Sequence, residues 1–175
     1  KRDIAFIGLG VICSSRSLKI AGDLLNRDSL NVVNNKDNLQ IGERTAEKVK
    51  IEIGTVVPGH RNEEIDVRGR DTVSGLPRTI TLKSDDVEPT LNETMMNVVE
   101  AAKDVLGVIP PELAADIIDH GIMMTGGGAL LDGMDQLLMD NLNIPVNISD
   151  TPLDDVAVGT GILLEKILGS ENQKR

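Results

Sequence analysis

The sequence predicts an α/β fold in which a mixed sheet is flanked by helices and interrupted by a smaller α+β subdomain. Three observations carry this. Short apolar or alternating runs at 4–12, 122–124 and 146–148 have the length and pattern of strands. Segments with apolar residues every three to four positions, clearest over 86–106, have the period of helices. Between the first strands and that helix lies a stretch with its own helices and its own pair of alternating strands. The expected division is therefore 1–26 together with 84–175 for the larger subdomain and 27–83 for the insertion.

Taken in order, residues 4–12 are apolar enough for a strand, with Gly8 and Gly10 marking a bend, and 17–20 alternates as a half-buried strand does. Residues 24–35 fit a helix imperfectly: Leu25, Leu30, Val32 and Val33 keep a rough helical spacing, while four asparagines over 26–35 lower the propensity. A better helix spans 45–53 after Gly42-Glu43, and Pro58-Gly59 makes a turn beyond it. Strands are expected at 65–68 and 78–82, separated by Gly69 and the Gly75-Leu76-Pro77 turn. Over 86–106, Leu91, Met95, Val98, Val99, Ala102, Val105 and Leu106 form a core-facing stripe, and Pro89 falls in the first turn, where its missing N–H costs nothing. Pro110-Pro111 opens a short helix to His120, the strand at 122–124 runs into three glycines, a helix is expected from about 129 to 141, and 156–168 closes the chain as another helix.

Composition bounds the function. One Phe and no Tyr or Trp leave the core to aliphatic residues and Met, so a bound nucleobase is not held by stacking on a ring. A single cysteine, Cys13, excludes an intramolecular disulfide and suits a reducing compartment; the expectation is a small buried apolar side chain. With 28 acidic against 18 basic residues, the formal charge of −10 opposes general attraction to nucleic acid or anionic lipid. No run is long and apolar enough to span a bilayer, and Lys1-Arg2-Asp3 does not open a signal peptide, so a cytoplasmic protein is expected.

The stretch richest in chemistry is Gly126-Gly127-Gly128. Without Cβ atoms these residues turn tightly, tolerate positive φ and let the backbone approach a ligand, while a helix beginning at Ala129 adds its positive end. A tight strand-to-helix turn without a ligand is an equal reading. Other catalytic patterns are absent: His60 and His120 lack partners at zinc-ligand spacing and are expected at the surface, and there is no Gly-x-Ser-x-Gly elbow or Walker loop. Asp150, Asp154 and Asp155 read as turn and helix-cap residues rather than a metal site, and Glu63-Glu64 as a solvated loop.

The run from Pro110 through His120-Gly-Ile-Met-Met-Thr-Gly-Gly-Gly-Ala-Leu-Leu131, followed by Ile144-Pro-Val146, Asp150-Thr-Pro-Leu153 and Val156-Ala-Val-Gly-Thr-Gly161, resembles the MreB family of bacterial actin homologues. Upstream, Ser15 to Asp23, Ile41 to Gly54, Val67-Arg-Gly-Arg70 and Gly75-Leu-Pro-Arg78 match in the same order. The resemblance covers nearly the whole chain and implies half of an actin-like ATPase fold, the C-terminal half. It implies that Gly126, Gly127, Gly128 and Ala129 border adenosine and ribose, with Glu43, Arg44, Thr45, Ala46 and Glu47 on the other side of the adenine and Gly22 in a hinge-side turn. Read without the family, Glu43 to Glu47 are acids set against a helix dipole, and that reading is open.

The resemblance further implies ATP, with Mg²⁺, as cofactor of a longer parent, self-assembly into filaments, and cell-shape and wall-synthesis proteins as partners. Membrane association would run through parts outside this chain. The two phosphate loops and the catalytic acid of the family are not in this sequence, so this chain alone is expected to be inactive and to bind no nucleotide tightly. The other class of function on the same loop is a sugar kinase or chaperone-type ATPase of the superfamily. Asn26, where the hinge helix of the family carries an acid, is a departure from the pattern.

Overall fold

A computed structural model of the chain describes residues 2–8, 11–20 and 22–172. The bend expected at Gly10 and the hinge-side Ala21 lie outside the described residues. The first strand, β1 (Arg2–Gly8), pairs antiparallel with β2 (Val11–Leu18), from Arg2 opposite Leu18 to Gly8 opposite Val11, with a bulge between Phe6 and Ile7. The run expected as one bent strand is thus a hairpin, and 17–18 is its end rather than a separate strand.

Helix α1 (Gly22–Asp37) follows, then the short β3 (Leu39–Gln40) and α2 (Glu43–Ile53). The buried face of α1 is Leu25, Ser29 and Val33. Ser29 is tolerated there because its hydroxyl donates to the carbonyl of Leu25 at 3.0 Å, which leaves no unsatisfied polar atom. Strands β4 (Glu64–Asp71) and β5 (Pro77–Lys83) form an antiparallel hairpin, with β3 on the other edge of β4. The chain enters α3 (Ser84–Gly107) directly. The Asp86 carboxylate accepts from the backbone N–H of Lys83 at 2.9 Å and so caps the helix start.

Helix α3 is the axis of the molecule. Val87, Leu91, Met95, Val98, Val99, Ala102 and Val105 are buried along it. It packs against α1, β1, β2, β5 and α5, which draws both parts of the chain onto one continuous aliphatic core. Helix α4 (Pro111–His120), β6 (Ile122–Met124), a 3₁₀ turn (Gly127–Leu130), α5 (Met134–Leu142), β7 (Val146–Ile148) and α6 (Asp155–Asn172) complete the order.

Three expectations are revised. Strands β6 and β7 pair in parallel, but among the described residues no hydrogen-bonded ladder joins them to β1 and β2, so the sheet of the larger part is divided. Cys13 is exposed rather than buried, on β2 beside exposed Val11 and Ile12. The helix expected from 129 to 141 is broken: Leu131 is extended, Asp132 bridges to Thr55, and Gly133 at φ 75° starts α5 afresh at Met134. No helix among the described residues is long and apolar enough to cross a membrane.

Candidate functional site

Strand β6 delivers the chain into the glycine loop, and the loop is held from one side by the segment before α6. Gly126 donates its backbone N–H to the carbonyl of Pro152 at 2.8 Å, and the Thr125 hydroxyl bonds the same carbonyl at 3.2 Å and the Asp155 carboxylate. Asp155 also accepts from Thr151 at 2.9 Å, and hydrogen bonds from Ser149, Thr125 and Thr151 hold its carboxyl below the usual carboxylate range. Of the three aspartates read as turn and cap residues, Asp155 does that work here. Among the described residues no group of three His, Cys, Asp or Glu could hold a metal ion.

The three glycines are not equivalent. Gly126 sits at φ 80°, where a Cβ is strained. A Cβ on Gly128 would stand 3.0 Å from the Cζ and Nη2 of Arg2, so the guanidinium occupies the space that glycine leaves. Gly127 is under neither constraint; it is exposed, with the Leu153 methyl 3.6 Å from an added Cβ. The Ala129 methyl is buried, so what Ala129 can offer a ligand is backbone. Because the turn that follows is a single 3₁₀ turn, the positive end of α5 begins beyond the loop, at Gly133 and Met134 rather than at Ala129.

Beyond the loop, the chain is braced to the end of α2. Val56 donates to the carbonyl of Asp132 at 3.1 Å, and Asn92 of α3 holds the Val56 carbonyl at 2.7 Å. His60 Nδ1 meets the Asp132 carboxylate at 3.0 Å. Desolvation raises the Asp132 pKa, but hydrogen bonds from His60 and Thr55 and the charges of His60 and Arg61 outweigh it, so the carboxyl titrates below its ordinary range. His60 is exposed as expected, yet it is bonded across 72 positions of sequence, a pairing that no local pattern announces.

The second group of expected contacts sits elsewhere on α2. The links between the two segments run through 55–57 and 132–133, past the C-terminal end of that helix, whereas Glu43 to Glu47 form its first turns. Glu43, Arg44 and Glu47 are exposed, Thr45 is half-buried, and Ala46 is fully buried in the core, leaving only its backbone for a ligand. Gly22, exposed at the start of α1, has Lys50 of α2 3.5 Å from the position of an added Cβ. Two cations beside the expected site residues, Arg2 and Lys50, were missed, since neither belongs to a motif.

The sequence profile of the MreB/Mbl protein family matches residues 1–172. The chain belongs to the MreB/Mbl family. It is 53% identical over 165 residues to the cell shape-determining protein Mbl of Bacillus subtilis, covering 94% of this chain and 50% of that protein. It is 42% identical over 165 residues to the cell shape-determining protein MreB of Escherichia coli, covering 94% of this chain and 48% of that one. The crystal structure of MreB 5 of Spiroplasma citri bound to AMPPNP superposes with a TM-score of 0.93 at 34% identity, over 99% of this chain and 52% of that chain. The MamK double helical filament superposes at 0.67 with 21% identity, over 81% of this chain and 43% of that chain, a likeness of fold alone. The fold is actin-like, and the family is a cytoskeletal one that determines cell shape. The chain spans about half the length of the MreB and Mbl relatives it matches.

Proposed function

We propose that this chain is the C-terminal half of a filament-forming, ATP-dependent MreB-type subunit, in which Gly126 to Ala129 border the adenosine and ribose, Glu43 to Glu47 close the other side of the adenine and Gly22 lies in a hinge-side turn near the sugar. The observation that carries the reading is the exposed backbone of Gly127, framed by a loop whose other two glycines are fixed by φ and by Arg2. A nucleotide-bound MreB 5 among the superposable structures supports the ligand class. Residues 27–83 act as the smaller, inserted subdomain. In the full-length protein the filaments assemble in the cytoplasm under the membrane and guide wall synthesis.

Helix α6 supports the view that a second half packs here: Val156, Ile162, Leu163 and Leu164 are each more than half exposed, an apolar surface larger than a lone soluble helix usually shows. Self-assembly has a surface to use. The β4–β5 tip exposes Val73 by 83% and Leu76 by 65%. An apolar groove of about 360 Å³, lined by Leu106, Ala114, Ile117, Ile118, Leu142 and Ile144, lies at the other end of α3. The 24 residues of α3 set the base of the hairpin and the groove roughly 36 Å apart. A tip that fills the groove of the next subunit gives a head-to-tail, non-closing contact. Sedimentation of the full-length protein with and without ATP tests the reading. ATP-dependent pelleting is expected; a protein that never pellets but phosphorylates a small substrate is a kinase of the superfamily instead.

A further inference from the structure

The glycine loop hangs from the start of α6. Asp155, in the first turn of that helix, gathers hydroxyl groups from three segments: Thr125 at the exit of β6, Ser149 just after β7, and Thr151 in the turn before α6, the last at 2.9 Å. Backbone N–H groups at the same corner are served by a carbonyl, since Asp154 and Asp155 donate to that of Thr151 at 2.9 and 3.1 Å, and the carboxylate is left for the hydroxyls. No cation among the described residues pairs with it. Bonds to an ionised acceptor are the stronger kind. Two of the anchors fall on consecutive residues at the mouth of the loop. Thr125 points its hydroxyl at Asp155 and at the Pro152 carbonyl, and Gly126 gives its N–H to the same carbonyl at 2.8 Å. Around Gly126 and Gly127 sterics do little: nothing stands within 4 Å of an added Cβ on Gly126, and only Leu153 Cδ2 stands near one on Gly127. Glycine loses more conformational freedom on being fixed than any other residue, so the direction of the Gly127 backbone depends on these anchors rather than on packing.

We infer that Asp155 is a positioning residue for nucleoside binding: through Thr125 it sets the direction in which the loop presents the Gly127 backbone to the ligand, and it ties that direction to α6. The inference rests on the nucleotide reading of Gly126 to Ala129. A loop fixed before the ligand arrives relieves binding of the entropy of ordering the glycines. The gain therefore appears in affinity for the nucleoside part and not in the chemical step.

The test uses the full-length protein, with calorimetric titration of adenosine and ADP and kcat for ATP hydrolysis at saturating ATP. It is run on wild type, Thr125→Val, Thr125→Ser, Asp155→Ala and the double variant Thr125→Val with Asp155→Ala. Thr125→Val and Asp155→Ala should each weaken adenosine and ADP by the same factor, about tenfold, the scale of one hydrogen bond to a charged group. In both, kcat should stay within about twofold of wild type. Thr125→Ser keeps the hydroxyl and should restore wild-type affinity. The double variant should lose no more than either single change, because both remove the same bond. A role in folding alone lowers the stoichiometry of binding and leaves the dissociation constant where it was; that pattern overturns the inference. So do additive losses in the double variant, or a Thr125→Ser protein that binds as weakly as Thr125→Val. Wild-type binding that Asp155→Ala leaves unchanged overturns the role of Asp155 while the nucleotide reading stands. Failure of wild type to bind either ligand overturns the loop assignment itself.

Discussion

Gly126, Gly127 and Gly128 look alike in the sequence and answer to different constraints in the structure, so substitutions at the glycines in and just beyond the loop have different consequences. Gly126→Ala meets open space but a φ of 80°, and should cost about 1 kcal/mol in urea unfolding. Gly133→Ala combines φ 75° with the Val57 side chain at 3.0 Å and should cost more, about 2 kcal/mol. Gly127→Val has neither penalty; it should unfold within about 0.5 kcal/mol of wild type, yet abolish ATP-dependent pelleting of the full-length protein by occupying the ligand face. Normal filaments in that variant would remove the loop from the nucleotide site. Acid titrates a second residue-scale feature. Asp132 and Asp155 both ionise below the ordinary 3.8 in the folded chain, so their contribution is full above the unfolded value and is lost as pH falls through the folded one. Stability should therefore decline in acid, between about pH 5 and pH 2, and Asp132→Asn should make that decline shallower. Urea midpoints across the range that run parallel in wild type and variant would show that the Asp132 pairing contributes nothing.

At the scale of elements, what was legible depended on whether the physics is local. Helix α3 was read almost to its ends because Leu91, Met95, Val98 and Val99 repeat at helical spacing and Asp86 and Pro89 suit a first turn. Helix α1 was read poorly because the middle of its buried stripe is Ser29, whose burial depends on a bond to Leu25 rather than on hydrophobicity. The break between the 3₁₀ turn and α5 was missed for a different reason: apart from Gly133, Leu130 to Leu142 has helical composition, and Asp132 is held out of the helix by Thr55, Val56 and His60, 72 to 77 positions upstream. The glycine loop was visible as a motif, whereas the cation behind it and the brace beyond it were not, because contacts distant in sequence leave no period. The β4–β5 hairpin makes the same division testable. Asp71 Oδ1 accepts from the N–H of Val73 at 3.0 Å and of Ser74 at 2.7 Å, and Oδ2 accepts from Arg78 at 2.8 Å, so one side chain fixes both the turn and its partner strand. Asp71→Ala should speed amide exchange over 70–78 and leave α3 protected. Equal protection of the turn in both proteins would mean that the strand register alone holds it.

For the whole molecule, the question is what drives one subunit onto the next. A charge account draws on Arg61, Arg68, Arg70 and Arg78 in the insertion against the aspartates of the C-terminal part, but the structure commits most of these arginines internally. Arg61 donates to the carbonyls of Ile51 and Gly54, Arg70 to that of Gly75, and Arg78 to Asp71. Asp132 and Asp155 are likewise engaged. Exposed Arg68 is left as the steering charge, and an exposed pair is worth only about 0–1 kcal/mol and is screened by salt. The apolar tip is the stronger candidate: burying Val73 and Leu76 from 83% and 65% exposure removes two large aliphatic side chains from water, at about 1.5–3 kcal/mol for each one fully covered. In full-length protein, Val73→Glu at the tip and Ile118→Glu in the groove should each raise the critical concentration for assembly at any ionic strength, by placing a carboxylate in an apolar contact. Arg68→Glu should raise it less, and only at low salt. Light-scattering curves settle the ranking. If Arg68→Glu is the most damaging change and its effect vanishes in salt, assembly is steered by charge; if Val73→Glu and Ile118→Glu assemble as wild type does, the hairpin tip and the groove do not meet across the interface.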